Sequence, residues 1–326
     1  MNKTICTYLI FSLLISCSTP KEEVAVIIDE PIPDITCNDG IMNGSETGVD
    51  CGGNSCASCS TGSLVIPDSG YDASDNYDEY TLVWNDEFSS ENISAEKWSF
   101  HIGDGCPNLC GWGNNEFQYY TNDEDNVYVK DDNLIIEAKK ENIGGKDYSS
   151  ARIHTDNKFE FRYGRIDIRA SMPSATGTWV ALWLLNKDYE VQNPAEWWPR
   201  GGEIDIMEYL GEDKTEILGT AHYGSNLSNH RFNSVKYKAP AETYDKVYHV
   251  FSIIWEEDKI TWLVNDVPYH SITPSQTFGQ PYPFNDEFFL LMNLSVGGNL
   301  PSEAPIPSEY PTFLIIDYVR VYQKNG

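Results

Sequence analysis

Short apolar or alternating stretches recur from Tyr80 almost to the end of the chain, and each has the length of a β-strand. Turn-forming residues separate them, and no long segment shows helical periodicity. The stretches are residues 81–84, 133–138, 164–170, 179–185, 247–255, 260–264, 288–294 and 313–322. The pattern predicts an all-β domain over residues 80–324, built as a jelly-roll sandwich of two antiparallel sheets with a concave cleft.

Two local patterns support this prediction. Residues 165–169 alternate strictly between charged and apolar side chains, which is typical of a strand with one buried face. Asn265 and Asp266 lie between two strand-like stretches and predict a hairpin turn.

The first part of the chain has a different composition. Residues 1–17 have a basic start and an apolar run too short to span a bilayer, which predicts a signal peptide. Their last four residues resemble a bacterial lipobox, so Cys17 is expected to carry a lipid, although a plain cleaved signal would also explain the sequence. The composition then predicts an acidic, proline-rich tether at 18–36, a small cysteine-rich module at 37–59 and a linker at 60–79.

Six cysteines follow the predicted signal peptide, and an even number in an exported protein indicates disulfides. A zinc site in the cysteine-rich module is the alternative, but one close pair alone has the spacing for it. The acids of that module offer a further alternative, a Ca²⁺ site. The six are Cys37, Cys51, Cys56, Cys59, Cys106 and Cys110.

Charge and aromatic content narrow the classes of ligand. The formal net charge of −28 argues against nucleic acid and disfavours heavily sulfated polysaccharides. Aromatic residues make up 13% of the chain, more than a core requires, so some aromatic surface is expected to stack on a ligand. A neutral polysaccharide satisfies both conditions.

The most informative stretch is 197–209, where three acids follow a tryptophan pair and a glycine pair. In a regular strand Glu203 and Asp205 share one face, whereas Glu208 would be buried with two isoleucines. Because burying a lone carboxylate is costly, we predict a β-bulge near Met207 that returns Glu208 to the face of the other acids. A retaining glycosidase needs two carboxyl groups about 5 to 5.5 Å apart. The alternative is an amphipathic strand with its acids in water.

The segment from Gly202 to Glu208 resembles the signature of glycoside hydrolase family 16, in the form with one extra residue that laminarinase-like members carry. The likeness extends over most of residues 80–324. It implies that Glu203 is the nucleophile, Asp205 its assistant and Glu208 the general acid and base. It further implies cleft roles for Asn115, Arg152, Trp198 and His222, with a purely structural role as the alternative for His222.

Trp179 and Trp183 share one face of their strand and are candidates for stacking on sugar, with core packing as the alternative. The resemblance also implies a structural Ca²⁺, held by the Asp317 carboxylate and by backbone carbonyls near Glu87 and Asp132, with a surface aspartate in a strand as the alternative. It implies no cofactor for catalysis. Cys106 and Cys110 are expected to form a disulfide that holds a loop at the cleft mouth.

The sequence therefore predicts a retaining endo-β-1,3-glucanase that cleaves laminarin-like glucans. One alternative is an enzyme of the same family for mixed-linkage β-1,3-1,4-glucan or an algal galactan, and another is a non-catalytic lectin. The expected partners are a neutral polysaccharide and, through the lipid alone, a membrane. We expect an exported monomer on the surface of the outer membrane that does not bind nucleic acid.

Overall fold

A computed structural model describes residues 62–239 and 243–326. The predicted signal peptide with Cys17, the tether and the cysteine-rich module lie outside the described residues. Within the described part of the chain, no helix is both long enough and apolar enough to cross a membrane.

Strands make up 47% of the structure and helix 6%, which confirms the all-β prediction. The single α-helix of the described residues is α1, Pro194–Trp197, and short 3-10 turns cover Cys110–Gly113, Leu227–Asn229, Pro274–Gln276 and Pro307–Glu309. The strands are β1 Tyr80–Asp86, β2 Ser99–Phe100, β3 Gln118–Tyr120, β4 Val127–Lys130, β5 Asn133–Ala138, β6 Tyr148–Ser150, β7 Arg152–His154, β8 Glu160–Phe161, β9 Gly164–Ser171, β10 Thr178–Asn186, β11 Glu203–Leu210, β12 Glu216–Tyr223, β13 Arg231–Lys238, β14 His249–Glu256, β15 Lys259–Val264, β16 Val267–Ile272, β17 Phe288–Val296 and β18 Thr312–Lys324.

Two eight-stranded antiparallel sheets face each other. The first, here called the cleft sheet, has the order β13-β12-β11-β10-β17-β7-β2, with β8 also paired to β17. The second, the back sheet, has the order β16-β15-β14-β9-β18-β5-β4, with β1 also paired to β18. A small parallel pair, β3 with β6, adjoins them. Because sequence neighbours often lie in different sheets, the predicted jelly roll is confirmed.

The apolar core lies between the two sheets. Ile166 and Ile168 of β9 are fully buried in it, together with Ile204 of β11 and Ile253 of β14. Alternation along each strand supplies these residues, because every second side chain points to the same face. Between β15 and β16, Asn265 and Asp266 have φ values of 51° and 62°, so the predicted hairpin turn is confirmed.

The prediction of a linker at 60–79 is wrong for the described residues of that segment. Residues 62–79 pack on the outer face of the back sheet and form a strap. The Tyr71 amide donates to the Tyr248 carbonyl at 2.9 Å, and the Tyr77 hydroxyl donates to Asp167 Oδ2 at 2.9 Å. Ala73 is 8% exposed and packs against Val250 and Tyr318. The strap is therefore part of the folded domain.

Candidate active site

A bulge in β11 sets the direction of its acidic side chains. Opposite β12, Asp205 pairs with Thr220 and Glu208 pairs with Leu218, so β11 contains one residue more than its neighbour. Ile206 and Met207 both point into the core, where they are 1% and 0% exposed. The bulge predicted near Met207 is therefore confirmed, and Glu208 lies on the cleft side.

Glu203, Asp205 and Glu208 line one cleft of about 690 Å³. Side chains of β7, β10, β12, β13 and β17 line it beside those of β11, and residues around the 3-10 turns Cys110–Gly113 and Leu227–Asn229 complete the lining. Aromatic and apolar groups dominate the lining, including Trp112, Trp179, Trp183, Trp198, Leu227 and Phe232. Such a surface suits the apolar faces of sugar rings.

Glu203 is held by one oxygen and leaves the other directed to the cleft. The Trp198 indole N–H donates to Glu203 Oε2 at 3.0 Å. His222 Nε2 lies 3.9 Å from the second oxygen, Oε1. Burial raises the pKa of Glu203 to about 8, and the negative charge of Asp205 adds to the shift.

Glu208 is fixed from two neighbouring strands. Trp179 Nε1–H donates to its Oε1 at 3.0 Å, and the Thr220 hydroxyl lies 3.4 Å from its Oε2. Burial is the largest cause of a pKa of about 8 for Glu208, followed by the charge of Asp205. The raised pKa favours the protonated form that a general acid needs.

Asp205 lies between the two glutamates and is the most enclosed of the three. It is 3% exposed, and burial raises its pKa to about 8. His222 Nε2 is 3.3 Å from Asp205 Oδ2, an oxygen that makes no hydrogen bond. On the other side of the ring, His222 Nδ1 lies 2.9 Å from His230 Nε2. His222 is thus placed between the acids and a second histidine.

Arg152, Trp179 and Trp183 lie in the cleft, as the sequence predicted. Arg152 is 6% exposed, and its guanidinium carbon lies 4.9 Å from the Trp112 ring centroid and 4.6 Å from that of Trp183. Trp183 Nε1–H donates to Asn293 Oδ1 at 2.8 Å. Both Trp179 and Trp183 therefore line the cleft through a half-buried face, and core packing alone does not describe them.

Asn115 is not placed as expected. It is exposed and does not line the cleft, whereas its neighbour Asn114 does. The φ of Asn115 is 55°, a left-handed conformation that turns its side chain away from the direction an extended residue would take. Its amide donates to Asn299 Oδ1 at 2.8 Å, and Asn299 lines the cleft. Asn115 is therefore a rim residue that supports a lining residue.

Sequence reasoning missed Glu116 and His230, which both line the cleft. Glu116 is 5% exposed, and it accepts hydrogen bonds from Gln118 Nε2 at 2.5 Å and the Tyr120 hydroxyl at 3.1 Å. Burial raises the pKa of Glu116, and the positive charge of Arg152 opposes that shift. Residues 116, 118 and 120 follow one another at every second position, so the sequence could have indicated that Glu116 shares a face with its two hydrogen-bond donors.

The loop that begins at Cys106 closes one end of the cleft. Its cysteines are joined, with an S–S distance of 2.13 Å between Cys106 and Cys110. Of the three residues between them, Asn108 and Leu109 line the cleft. The predicted disulfide at the cleft mouth is therefore present.

The three residues named for the expected Ca²⁺ site lie in the back sheet or beside it, and the side chains of two of them form ion pairs. Both Glu87 oxygens accept hydrogen bonds from Arg320, at 2.9 and 2.8 Å, and Asp317 Oδ2 accepts from Arg169 Nη1 at 2.5 Å. Each carboxylate therefore already has a guanidinium as its counter-charge. Asp132 is an exposed residue in a left-handed turn, with a φ of 57°.

A jelly roll with buried carboxyl groups in an aromatic cleft has the features of the carboxylate-dependent glycoside hydrolases. The model of the glycosyl hydrolases family 16 matches residues 114–305. The chain belongs to that family.

Known relatives extend the match over most of the described residues. Over 75% of its length the chain is 36% identical to glucan endo-1,3-beta-glucosidase A1 of Niallia circulans, of which the alignment covers 38%. Over 78% of its length it is 38% identical to a beta-glucanase of Rhodothermus marinus, with 89% of that protein covered. The laminarinase catalytic domain of Thermotoga maritima has a TM-score of 0.70 and 37% identity, and the match covers 76% of this chain and 100% of that domain.

Proposed function

We propose that residues 80–324 hydrolyse β-1,3-glucan internally and with retention of anomeric configuration. The observation that carries the proposal is the β11 bulge, which brings Glu203, Asp205 and Glu208 to one wall of the cleft. Two carboxyl groups on one wall are the requirement of double displacement. The names of the relatives, a glucan endo-1,3-beta-glucosidase and a laminarinase, support β-1,3-glucan as the substrate.

In the first half-reaction we assign attack on the anomeric carbon to Glu203. Its Oε2 is occupied by the Trp198 N–H, so Oε1 is the free nucleophilic oxygen. Glu208 donates its proton to the leaving glycosidic oxygen. Burial raises the pKa values of both glutamates, and because their charges repel, ionisation of Glu203 for attack favours the protonated form of Glu208.

In the second half-reaction the roles of the two glutamates change. Departure of the protonated leaving group leaves Glu208 ionised, and it now removes a proton from the incoming water. Water attacks the glycosyl ester and releases Glu203. Asp205 lies between the two glutamates, and when it is ionised its charge raises the pKa values of both. The chain's own carboxyl groups supply this chemistry without a cofactor.

The test is a panel of neutral and sulfated polysaccharides incubated with the purified protein. We expect new reducing ends from laminarin, and proton NMR of the fresh hydrolysate should show the β-anomer first. Glu203→Gln should abolish hydrolysis and retain binding. Faster cleavage of mixed-linkage glucan or of a galactan would replace the proposed substrate. Binding without hydrolysis in the unmodified protein would favour the lectin.

We further propose that the protein is exported, anchored to the outer membrane through a lipid on Cys17, and monomeric. The lipobox-like sequence at the end of residues 1–17 supports the anchor, and the proline-rich stretch that follows suits a tether. Labelled palmitate should enter the unmodified protein and be absent from Cys17→Ala. Protease treatment of intact cells tests surface exposure, and light scattering of the released protein tests its mass.

A further inference from the structure

Three potential metal-ligand atoms of two kinds meet in the cleft. His222 Nε2 lies 3.3 Å from Asp205 Oδ2 and 3.9 Å from Glu203 Oε1, and all three atoms lie within 4.8 Å of one another. Among residues 62–239 and 243–326, no other group of three acidic, histidine or cysteine side chains meets this distance. The group therefore combines one imidazole nitrogen with two carboxylate oxygens.

The two distances from His222 are close to those of a transition-metal site. With metal–nitrogen and metal–oxygen bonds of about 2.0 to 2.2 Å, neighbouring ligand atoms of a tetrahedral site lie about 3.4 Å apart. The two distances from His222 need to change by only a few tenths of an ångström. Imidazole together with carboxylate suits Zn²⁺ or Cu²⁺, whereas Ca²⁺ takes oxygen ligands.

Independent features already orient the ligand atoms. Asp205 Oδ2 is buried and accepts no hydrogen bond, so this oxygen is available to an ion. Trp198 occupies Glu203 Oε2 and leaves Oε1 available. His230 Nε2, 2.9 Å from His222 Nδ1, leaves the opposite nitrogen of that ring to face the acids. Metal-binding histidines are usually oriented by such a partner on the second nitrogen.

We propose that Glu203, Asp205 and His222 form a binding site for a divalent transition-metal ion, Zn²⁺ or Cu²⁺, that excludes the polysaccharide. The ion would bind the free oxygen that the proposed mechanism uses for attack, so metal and substrate compete. The competition rests on the proposed function, whereas metal binding itself does not. Tryptophans and the second histidine hold the side chains in place without binding the ion.

Metal binding is tested on the full chain after treatment with a chelator. Zn²⁺ binding is measured by calorimetry in excess Mg²⁺, which occupies exposed carboxylates. His222→Gln should lower the Zn²⁺ affinity by more than about tenfold, because loss of a group that only supports a ligand already costs about that much. Asp205→Asn should weaken it as well. The matched control is His270→Gln, on β16 of the back sheet, which should leave the affinity unchanged.

Electron paramagnetic resonance of the Cu²⁺ form gives a second measurement that needs no variant. We expect hyperfine coupling to one imidazole in the spectrum of this site. Equal affinity in His222→Gln, or a Cu²⁺ spectrum without imidazole nitrogen, would overturn the proposal.

Competition is tested by the rate of laminarin hydrolysis. Added Zn²⁺ should raise the apparent KM at constant kcat, and a fall of kcat at constant KM would refute exclusion of the substrate. If the protein does not cleave laminarin but loses the metal site in His222→Gln, the proposed function fails and the metal site stands.

Discussion

Arg152→Met removes a positive charge from between two tryptophan rings. The contacts of Arg152 with Trp112 and Trp183, at 4.9 and 4.6 Å, are worth about 0.5 to 2 kcal/mol each. The change also leaves the buried Glu116 without the positive charge that opposes its desolvation. The two contacts with tryptophan rings therefore set an expected loss of unfolding free energy of about 1 to 4 kcal/mol.

A second substitution separates the charge effect from the packing effect. Glu116→Gln keeps a side chain of similar shape that can still accept from Gln118 and Tyr120, so the double variant contains neither charge. Its loss of unfolding free energy should be smaller than the sum of the two single losses by about 1 to 3 kcal/mol. Arg152→Lys, which keeps the charge but not the planar group, should fall between the unmodified protein and Arg152→Met.

Guanidinium unfolding followed by tryptophan fluorescence measures these free energies. The kcat/KM for laminarin oligosaccharides should stay low in the double variant, because restored stability does not restore the guanidinium in the cleft. Losses that add within about 0.5 kcal/mol would show that Arg152 and Glu116 do not interact, and would refute the argument.

Three further predictions concern chemistry and stability. Glu208→Gln should lower kcat on laminarin by about 10²- to 10⁴-fold, measured as reducing ends, and activity near that of the unmodified protein would remove Glu208 from the mechanism. The kcat/KM of the unmodified protein should fall as pH rises through about 8, because Glu208 then loses the proton it donates, and a constant value to higher pH would contradict this role. A chain that starts at Tyr80 loses the hydrogen bonds of Tyr71 to Asp266 and of Tyr77 to Asp167, so its unfolding free energy should fall by about 3 to 6 kcal/mol in calorimetry. Unchanged stability would restore the linker prediction.

The sequence was sufficient where one strand's own pattern decided the outcome. Residues 165–169 alternate, and their isoleucines are buried as expected. It was insufficient where partners come from distant parts of the chain. The contacts of Trp112 with Arg152 and of His230 with His222 depend on how strands and loops meet, and no local period marks them.

The strap escaped prediction for a different physical reason. Its composition of glycine, serine and aspartate is typical of a linker. Hydrophobic periodicity did not reveal its packing, because that signal detects only the burial of apolar side chains. The strap is held instead by hydrogen bonds to charged groups of the back sheet, such as that from Arg169 Nε to the Tyr71 carbonyl at 2.7 Å.

The bulge in β11 serves the core and the cleft at the same time. Without the extra residue, Glu208 would join Ile204 and Ile206 in the interior, where an unpaired carboxyl group costs several kcal/mol in proteins. With it, Ile206 and Met207 both enter the core, and Glu208 turns to the cleft. The acids are nevertheless kept close and enclosed, which raises their pKa values to about 8. The free energy of unfolding therefore falls as pH rises from the carboxyl pKa of the unfolded chain towards 8, because the folded protein keeps protons that the unfolded chain has released. The same burial that lowers stability also helps to keep the proton that glycoside hydrolysis requires.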